Sequence, residues 1–383
     1  MATPSAAPVA AKSVAVSQRL MSLDALRGFD MLWIMGGDSI GHALDHWHAA
    51  ESGPLRVLAD QLNHVAWEGF RFYDLIFPLF VFIVGVSLVF SLTKTIEREG
   101  RPAAVNRILR RAALLWFIGV LYYGGWSQGI DQIRLLGVLQ RIALCYLIAG
   151  LFFVYLKPRG LLISLVALLG GYWAMLTFIP MPGLSEVSFA EGKNLTNWVD
   201  SQYLPFRKWD GTHDPEGLLS TLPAIASCLL GVFAGLLMRD ARQSPQRRCQ
   251  ILFGGGIALI LLGHLWSLQF PVIKKLWTSS YVLIAGGWSA VLLGAFYWVM
   301  DIKGWQRWAQ PFVWIGLNPI TIYLLGNVIN FDQLAGRVLG GPLSSWANSV
   351  SAGSGDVLFA VGGMLLAVWV AWFLNRRKLY LRL

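Results

Sequence analysis

The first predicted membrane-spanning segment carries four ionisable side chains. They are Asp24, Arg27, Asp30 and Asp38, which fall within an arc of about 120° on a helix. Ionisable groups are costly inside a membrane, so such a stripe is a candidate functional site. Arg27 stands three residues from both Asp24 and Asp30, a spacing that also suits a structural ion-pair cluster. Asp38 lies farther along, about 24 Å from Ser22 at 1.5 Å per residue, near the opposite membrane surface.

Four of the six histidines fall between the first and second predicted spans, at positions 42, 46, 48 and 64. The first three include one i, i+4 pair but no HExxH pattern or nearby cysteine, so no metal is expected. His64 precedes the second span directly and should lie at the membrane mouth. A histidine with an ordinary pKa of about 6.5 can act as a base near neutral pH, although an interfacial histidine can also have no catalytic role.

The composition sets the protein class. Of 383 residues, 56% are hydrophobic and only 14% are charged, against about 25% in soluble domains. The formal net charge of +10 does not indicate a nucleic-acid binder, because the basic residues concentrate in alternate loops. The three cysteines lie in or beside apolar runs and suggest neither disulfides nor a thiolate metal site. We predict an all-α polytopic membrane protein.

Ten apolar runs are long enough to cross about 30 Å of hydrocarbon. They are residues 22–44, 72–92, 108–126, 135–156, 160–180, 218–238, 250–270, 280–300, 311–331 and 355–375. One alternating set of connections holds 20 Lys and Arg and the opposite set nine, which predicts that both termini are cytoplasmic. Lys274 and Lys275 are adjacent basic residues in the set with nine, so they do not follow this charge asymmetry. Residues 1–18 are predicted to form a disordered cytoplasmic tail, and 19–383 a single transmembrane domain.

The long predicted connections lie on the outer side, near 45–71, 181–217 and 332–354. The second combines aromatic residues with the carboxylates Asp200, Asp210, Asp214 and Glu216. Aromatic rings and carboxylates together suit a sugar, whose ring face stacks while its hydroxyls form hydrogen bonds. The same aromatic residues also fit an interfacial belt.

Two further features concern polar residues inside predicted helices. Arg134 and Arg141 stand seven residues apart on one face of the fourth span, where they could meet a phosphate or balance Asp38 or Asp74. Asn318 precedes Pro319 in the ninth span and predicts an interrupted helix whose freed backbone groups need partners.

Six motifs resemble the heparan-alpha-glucosaminide N-acetyltransferase family, particularly its bacterial NagX-type members. They are RLMSLDALRGFD at 19–30, HVAWEG at 64–69, DLIFPLFVFIVG at 74–85, LGVLQR at 136–141, DPEGLLST at 214–221 and GLNP at 316–319. The opening of the first helix is also similar to transmembrane acyltransferases more broadly. The resemblance implies an N-acetyltransferase that uses cytoplasmic acetyl-CoA and a glucosamine-type sugar beyond the membrane. It also implies a homodimer among the lipids of a bacterial inner membrane.

The family resemblance assigns the catalytic histidine to His64, as a base or as a transient acetyl carrier. Aligning on Arg27 and Gly28 places Asp38 where lysosomal members have an asparagine, so Asp38 is expected to partner His64. The expected sugar contacts are Asp74, Trp67, Arg141, Asp214, Glu216 and Asn318. The expected CoA contacts are Arg27, Asp30, Arg101, Arg107, Arg110 and Arg111.

Two other functions stay open at this point. An acyltransferase for cell-wall or surface glycans would keep the mechanism and change the acceptor. A sugar transporter would also use polar stripes and an interrupted helix. The sequence contains no Rossmann or P-loop motif, so a CoA site would have to be built between helices.

Overall fold

The computed structural model describes residues 20–47, 49 and 52–381, and its regular elements are helices. They are α1 (Met21–His46), α2 (Gly53–Leu62), α3 (Phe72–Tyr122), α4 (Val138–Tyr155), α5 (Pro158–Phe178), α6 (Leu195–Tyr203), α7 (Thr221–Arg239), α8 (Pro245–Ser267), α9 (Ser279–Tyr297), α10 (Gln310–Gly316), α11 (Pro319–Val328), α12 (Phe331–Val350) and α13 (Ser354–Arg376). The predicted tail at 1–18 and His48 lie outside the described residues.

The all-α polytopic prediction is confirmed. Seven helices of the described residues are long and apolar enough to span a membrane, or eight if α10 and α11, bent by 70°, form one broken span. Nine of the ten predicted runs each fall on a single helix, and the ninth, 311–331, is divided mainly between α10 and α11. The number of predicted runs exceeds the number of spanning helices for two reasons. Helix α3, with 51 residues, contains two predicted runs on either side of a break at Gly100. The charged α1 is not among the seven spanning helices.

The three long predicted connections contain helices that the apolar runs do not reveal. They are α2 in the first, α6 in the second and α12, which nearly fills the third. Helix α12 is broken at Gly340, two residues before Pro342, where φ is +76°. These helices are short, broken or mixed in polarity, so a search for 20-residue apolar runs misses them.

Glycines allow two long helices to cross at close range. A β-carbon on Gly85 of α3 would collide with the Cys228 carbonyl oxygen of α7, and one on Gly231 of α7 would collide with the Phe82 carbonyl oxygen of α3. Helix association inside a membrane depends on such close packing, because lipid tails are as apolar as the helix surfaces. The crossing fixes α3, whose first turn carries the candidate site.

We expect Gly231→Val to destabilise the fold by about 1–3 kcal/mol or more, because the added atoms would force α3 and α7 apart. Gly254→Val in α8 is the matched control, since its β-carbon would meet nothing within 4 Å. Thermal unfolding in detergent measures the difference. Equal midpoints for the two variants would contradict the close crossing.

Candidate active site

His64 lies in a short segment between α2 and α3 that is held by two neighbouring segments. The Gly69 N–H donates to the Val272 carbonyl over 2.9 Å, and the Trp67 indole N–H donates to the Phe189 carbonyl over 2.9 Å. Gly69 has a φ of +129°, a conformation that glycine adopts without a side-chain clash. Connections distant in sequence are therefore joined around the histidine.

An aspartate in the first turn of α3 orients the His64 ring. His64 Nδ1 lies 2.8 Å from Asp74 Oδ1, and the Asp74 side chain is fully buried. Its second oxygen accepts the Arg71 N–H at 3.1 Å and the Val65 N–H at 3.4 Å. An ionised carboxylate only accepts hydrogen bonds, so Nδ1 carries the hydrogen and Nε2 keeps its lone pair. The imidazole is thus prepared to accept a proton at Nε2.

A lysine ammonium completes this group. Lys274 Nζ lies 2.9 Å from His64 Nδ1, 3.1 Å from His64 Nε2 and 3.5 Å from Asp74 Oδ1. Burial lowers the pKa of Lys274, against the opposing attraction of Asp74 and Glu216. The Tyr73 ring packs against the imidazole with 4.6 Å between centroids. In the sequence, Lys274 stands out only as an exception to the charge asymmetry of the connections, and this exception is the signal that marks it.

A cavity of about 410 Å³, called here the wide cavity, opens beside His64. Its wall combines aromatic rings with charged side chains, among them Trp67, Tyr123, Trp209, Arg134, Asp210, Glu216, Lys274 and Lys275. The volume is in the range of small-molecule sites, and polar groups fixed among aromatic faces suit a sugar. Trp67 and Glu216, two of the expected sugar contacts, do line this cavity.

Arg134 organises one wall of the wide cavity. Its guanidinium donates to both Asp214 oxygens, at 2.9 and 2.6 Å, and to Glu216 Oε2 at 2.6 Å. The Tyr123 and Trp209 rings lie 4.4 and 4.8 Å from the guanidinium carbon. Burial raises the pKa of Glu216, while Arg134 acts in the opposite direction. The pair of carboxylates is held in place by one shared cation.

Arg134→Leu should therefore destabilise the protein by about 3–5 kcal/mol, because it leaves two buried carboxylates without their cation. Arg134→Lys keeps the charge but not the forked hydrogen bonds, and should lose less. Thermal unfolding in detergent of both variants and the wild type gives the comparison. An Arg134→Leu variant as stable as the wild type would contradict the role of this ion pair.

Two expected sugar contacts lie behind this wall rather than on it. Arg141 is fully buried, donates to Ser220 Oγ and lies over the Trp277 ring at 4.9 Å. Asp214 is also buried, and its N–H donates to Asp200 Oδ2 at 3.4 Å. Burial raises the pKa of Asp200 to about 6. Asp214 supports two lining residues, since it accepts from Arg134 and from the Trp209 N–H. Arg141 instead donates to Ser220 Oγ and to the Gly217 carbonyl just before α7.

A line of smaller cavities leads away from His64. A junction cavity of about 370 Å³ shares His64, Glu216 and Lys274 with the wide cavity and also reaches Asp38 and Tyr323. An apolar gap of about 20 Å³ follows. It shares Ile34 of α1, Phe77 of α3 and Tyr323 of α11 with the junction cavity. It leads to a cavity of about 190 Å³ at Arg27, lined also by Ser87 and Arg111.

The Arg27 cavity brings together two of the six expected CoA contacts. Arg27 donates to Ser87 Oγ at 2.7 Å and to the Gly316 carbonyl at 3.2 Å. The Arg111 guanidinium lies 4.7 Å from the Tyr146 ring centre, and its buried Nε has no hydrogen-bond partner among the described residues. The other four expected contacts do not line this cavity. Arg101, Arg107 and Arg110 are exposed elsewhere on α3. Asp30 is buried, and its carboxylate has no hydrogen bond among the described residues.

The expected pairing of Asp38 with His64 is not found. The Asp38 side chain is 65% exposed and lies 3.6 Å from His42 Nε2, although it shares the junction cavity with His64. Asp74, expected to contact sugar, holds the imidazole instead. His64 and Asp74 are ten residues apart in sequence but meet only because the chain turns sharply before α3. The sequence spacing does not show that turn.

Asn318 does occupy the predicted helix interruption, between α10 and α11. Its Nδ2 donates to the Leu379 carbonyl at 3.0 Å, so it anchors the segment after α13. The Gly316 carbonyl, at the end of α10, accepts from the Arg27 guanidinium at 3.2 Å, so one backbone group freed at the break has a polar partner, as predicted. Asn318 does not line the wide cavity, where a sugar contact would have to lie.

A group of possible metal ligands lies beside the wide cavity. In the described part of the chain, ligand atoms of Glu191, Asp210 and His213 lie within 4.8 Å of one another. Lys275 Nζ is 2.7 Å from Glu191 and 2.9 Å from Asp210, so a lysine ammonium already balances the carboxylates. This ion-pair group joins the segment between α5 and α7 to the segment between α8 and α9.

Comparison with known proteins identifies the family. The model for "Heparan-alpha-glucosaminide N-acetyltransferase, catalytic" matches residues 19–275, more than half of the chain. The chain belongs to the heparan-alpha-glucosaminide N-acetyltransferase family. The match includes the His64–Asp74 pair and ends at Lys275, so it covers the whole charged lining of the wide cavity.

Two curated family members are similar to this chain at low identity. The heparan-alpha-glucosaminide N-acetyltransferase of Homo sapiens is 28% identical over 368 residues, which cover 81% of this chain and 53% of the human protein. The enzyme of the same name from Mus musculus is 28% identical over 321 residues, covering 68% of this chain and 48% of the mouse protein. The chain thus spans about half the length of the curated relatives it matches.

Proposed function

We propose that this family member transfers an acetyl group from acetyl-CoA to the amine of a glucosamine-type sugar. The observation that carries the proposal is the position of the His64–Asp74 pair. It stands where the wide cavity meets the line of cavities leading to Arg27. A base at that junction can be reached by an acceptor from one direction and by a thioester from the other.

The donor arm fits the Arg27 side of the line of cavities. Arg27 and Arg111 supply positive charge for the phosphates of CoA, and Arg111 Nε offers a buried donor that needs a partner. The exposed Arg101, Arg107 and Arg110 add positive charge on the same long helix. The charge asymmetry of the connections supports a cytoplasmic position for this end.

The acceptor fits the wide cavity. Trp67 and Trp209 offer aromatic faces to a sugar ring, and Glu216 and Asp210 offer acceptors for its hydroxyl groups or ammonium. His64 is 47% exposed at this cavity and can meet the acceptor amine. A cell-wall or surface glycan ending in an amino sugar would use the same contacts. Homodimer formation and a bacterial inner-membrane location stay predictions from the family resemblance.

The proposed chemistry follows from the tautomer that Asp74 selects. The nitrogen of the acceptor amine attacks the thioester carbonyl carbon while His64 Nε2 takes a proton from that nitrogen. The C–S bond then breaks, and the CoA thiolate receives that proton from His64. Asp74 stabilises the transient imidazolium. The Nε2 lone pair could alternatively attack the thioester itself and carry the acetyl group before the amine does.

The test is transfer of labelled acetyl from acetyl-CoA to glucosamine by the purified protein in detergent. We expect labelled N-acetylglucosamine and an equal amount of free CoA thiol. Thiol release that depends on protein but gives no labelled sugar would contradict the glucosamine acceptor and direct the assay to larger glycans. Failure to bind acetyl-CoA at all would contradict the acetyltransferase proposal and favour transport.

A further inference from the structure

Lys274 occupies the place that the proposed reaction assigns to an acceptor amine. Its Nζ lies 3.1 Å from His64 Nε2, the nitrogen that must take a proton from the acceptor. It lines both the wide cavity and the junction cavity, so it stands between the acceptor site and the donor path. Chemically it is a primary amine, like the amine of the sugar.

The adjacent lysine differs in its position and in its ion-pair partners. Lys275 Nζ is held by Glu191 at 2.7 Å and by Asp210 at 2.9 Å, and its side chain lines the wide cavity but not the junction cavity. These carboxylates raise the pKa of Lys275 despite burial, whereas burial lowers the pKa of Lys274. Lys274 therefore has the larger neutral, nucleophilic fraction.

We propose that the protein acetylates its own Lys274 when acetyl-CoA is bound and no sugar acceptor is present. The inference rests on the proposed function, since acetyl-CoA is the acetyl source. Neutral Lys274 Nζ forms a bond to the thioester carbonyl carbon while the C–S bond breaks. His64 takes the proton released by the nitrogen and returns it to the CoA thiolate, so CoA leaves as the free thiol.

Acetylation would change the site in two ways. It removes the ammonium that lies 3.5 Å from Asp74, and it places a neutral acetamide against His64 Nε2. An amide does not return its acetyl group to an amine as a thioester does. In the modified chain the acceptor position would therefore be filled and the rate of acetyl transfer to sugar reduced. A bound sugar acceptor would prevent this self-acetylation by acetyl-CoA.

The experiment incubates the full-length protein in detergent with acetyl-CoA, with and without glucosamine, and maps acetyl groups by peptide mass spectrometry. We expect acetyl on Lys274 but not on Lys275, suppression by glucosamine, and none in His64→Ala. Lys275 is the matched control because it lies on the same peptide. Unmodified Lys274, equal labelling of both lysines, or equal labelling in His64→Ala would each overturn the inference.

A parallel assay separates this inference from the proposed function. Labelled N-acetylglucosamine formed by a protein whose Lys274 stays unmodified would overturn the inference alone. Acetyl on Lys274 without any sugar product would support the inference and overturn the glucosamine acceptor. Lys274→Arg carries a side chain that cannot take the acetyl group, so preincubation with acetyl-CoA should lower the later transfer rate of the wild type but not of this variant.

Discussion

His64→Ala is expected to abolish acetyl transfer to glucosamine, with a loss of at least about 10²- to 10⁴-fold in kcat, the usual contribution of a general base. The loss could be larger if His64 carries the acetyl group, because the covalent route would then be removed entirely. Binding of acetyl-CoA should persist, since Arg27 and Arg111 lie at the other end of the line of cavities. The measurement is the rate of labelled N-acetylglucosamine formation at saturating donor and acceptor.

His264→Ala is the matched control for that variant. His264 is an exposed residue of α8 and does not line the wide or junction cavity. It should keep the wild-type rate. A His64→Ala protein that binds acetyl-CoA and turns over at the rate of His264→Ala would remove His64 from the mechanism.

Asp74→Asn is expected to lower kcat by about 10²- to 10⁴-fold while the KM for the donor changes little. The amide can donate a hydrogen to Nδ1, which moves the imidazole hydrogen to Nε2 and removes the lone pair needed for catalysis. Asp74 also accepts the Arg71 N–H at the start of α3 and the Val65 N–H next to His64, so unfolding temperature and acetyl-CoA binding must be measured beside the rate. Retention of both with loss of kcat identifies a positioning role.

Variants of Asp38 provide the comparison. Asp38→Asn keeps a polar side chain on the wall of the junction cavity and introduces the amide that the family resemblance indicates, so it should keep at least part of the activity. Asp38→Ala removes that polar group and should lose more. Among the residues that the structure describes, Asp38 is exposed and His64 is hydrogen-bonded to Asp74 instead, so neither change should alter the imidazole tautomer. A larger kcat loss in Asp38→Asn than in Asp74→Asn would reverse the assignment of the orienting carboxylate.

The sequence predicts the long membrane-spanning helices well because membrane crossing demands long apolar runs, but it misses α2, α6 and α12, which lack such runs. The family motif indicates His64 as the candidate base, and that role stays a prediction. The aspartate that contacts its ring could not be chosen from the sequence, because Asp38 and Asp74 are both predicted near the same membrane surface. Only the turn before α3 and the hydrogen bonds of the Arg71 and Val65 N–H groups decide between them.

Lys274 shows a different limit of sequence analysis. In the sequence Lys274 is visible only as a departure from the charge asymmetry of the connections, and that asymmetry describes topology and not contacts. The Gly69–Val272 hydrogen bond brings its segment to His64 from more than 200 positions away. Pairings over such separations depend on the packing of α3, α8 and α9, which no local pattern encodes.

The apolar gap has a consequence for the membrane itself. At about 20 Å³ it has room for about one water molecule, and its lining is apolar, so it blocks a continuous water column between the two larger cavities. The donor arm that we propose to enter from the Arg27 side must open this constriction and fill it at the same time. Ion conductance should then stay at the background of the lipid bilayer throughout turnover, and the transmembrane proton gradient would be preserved.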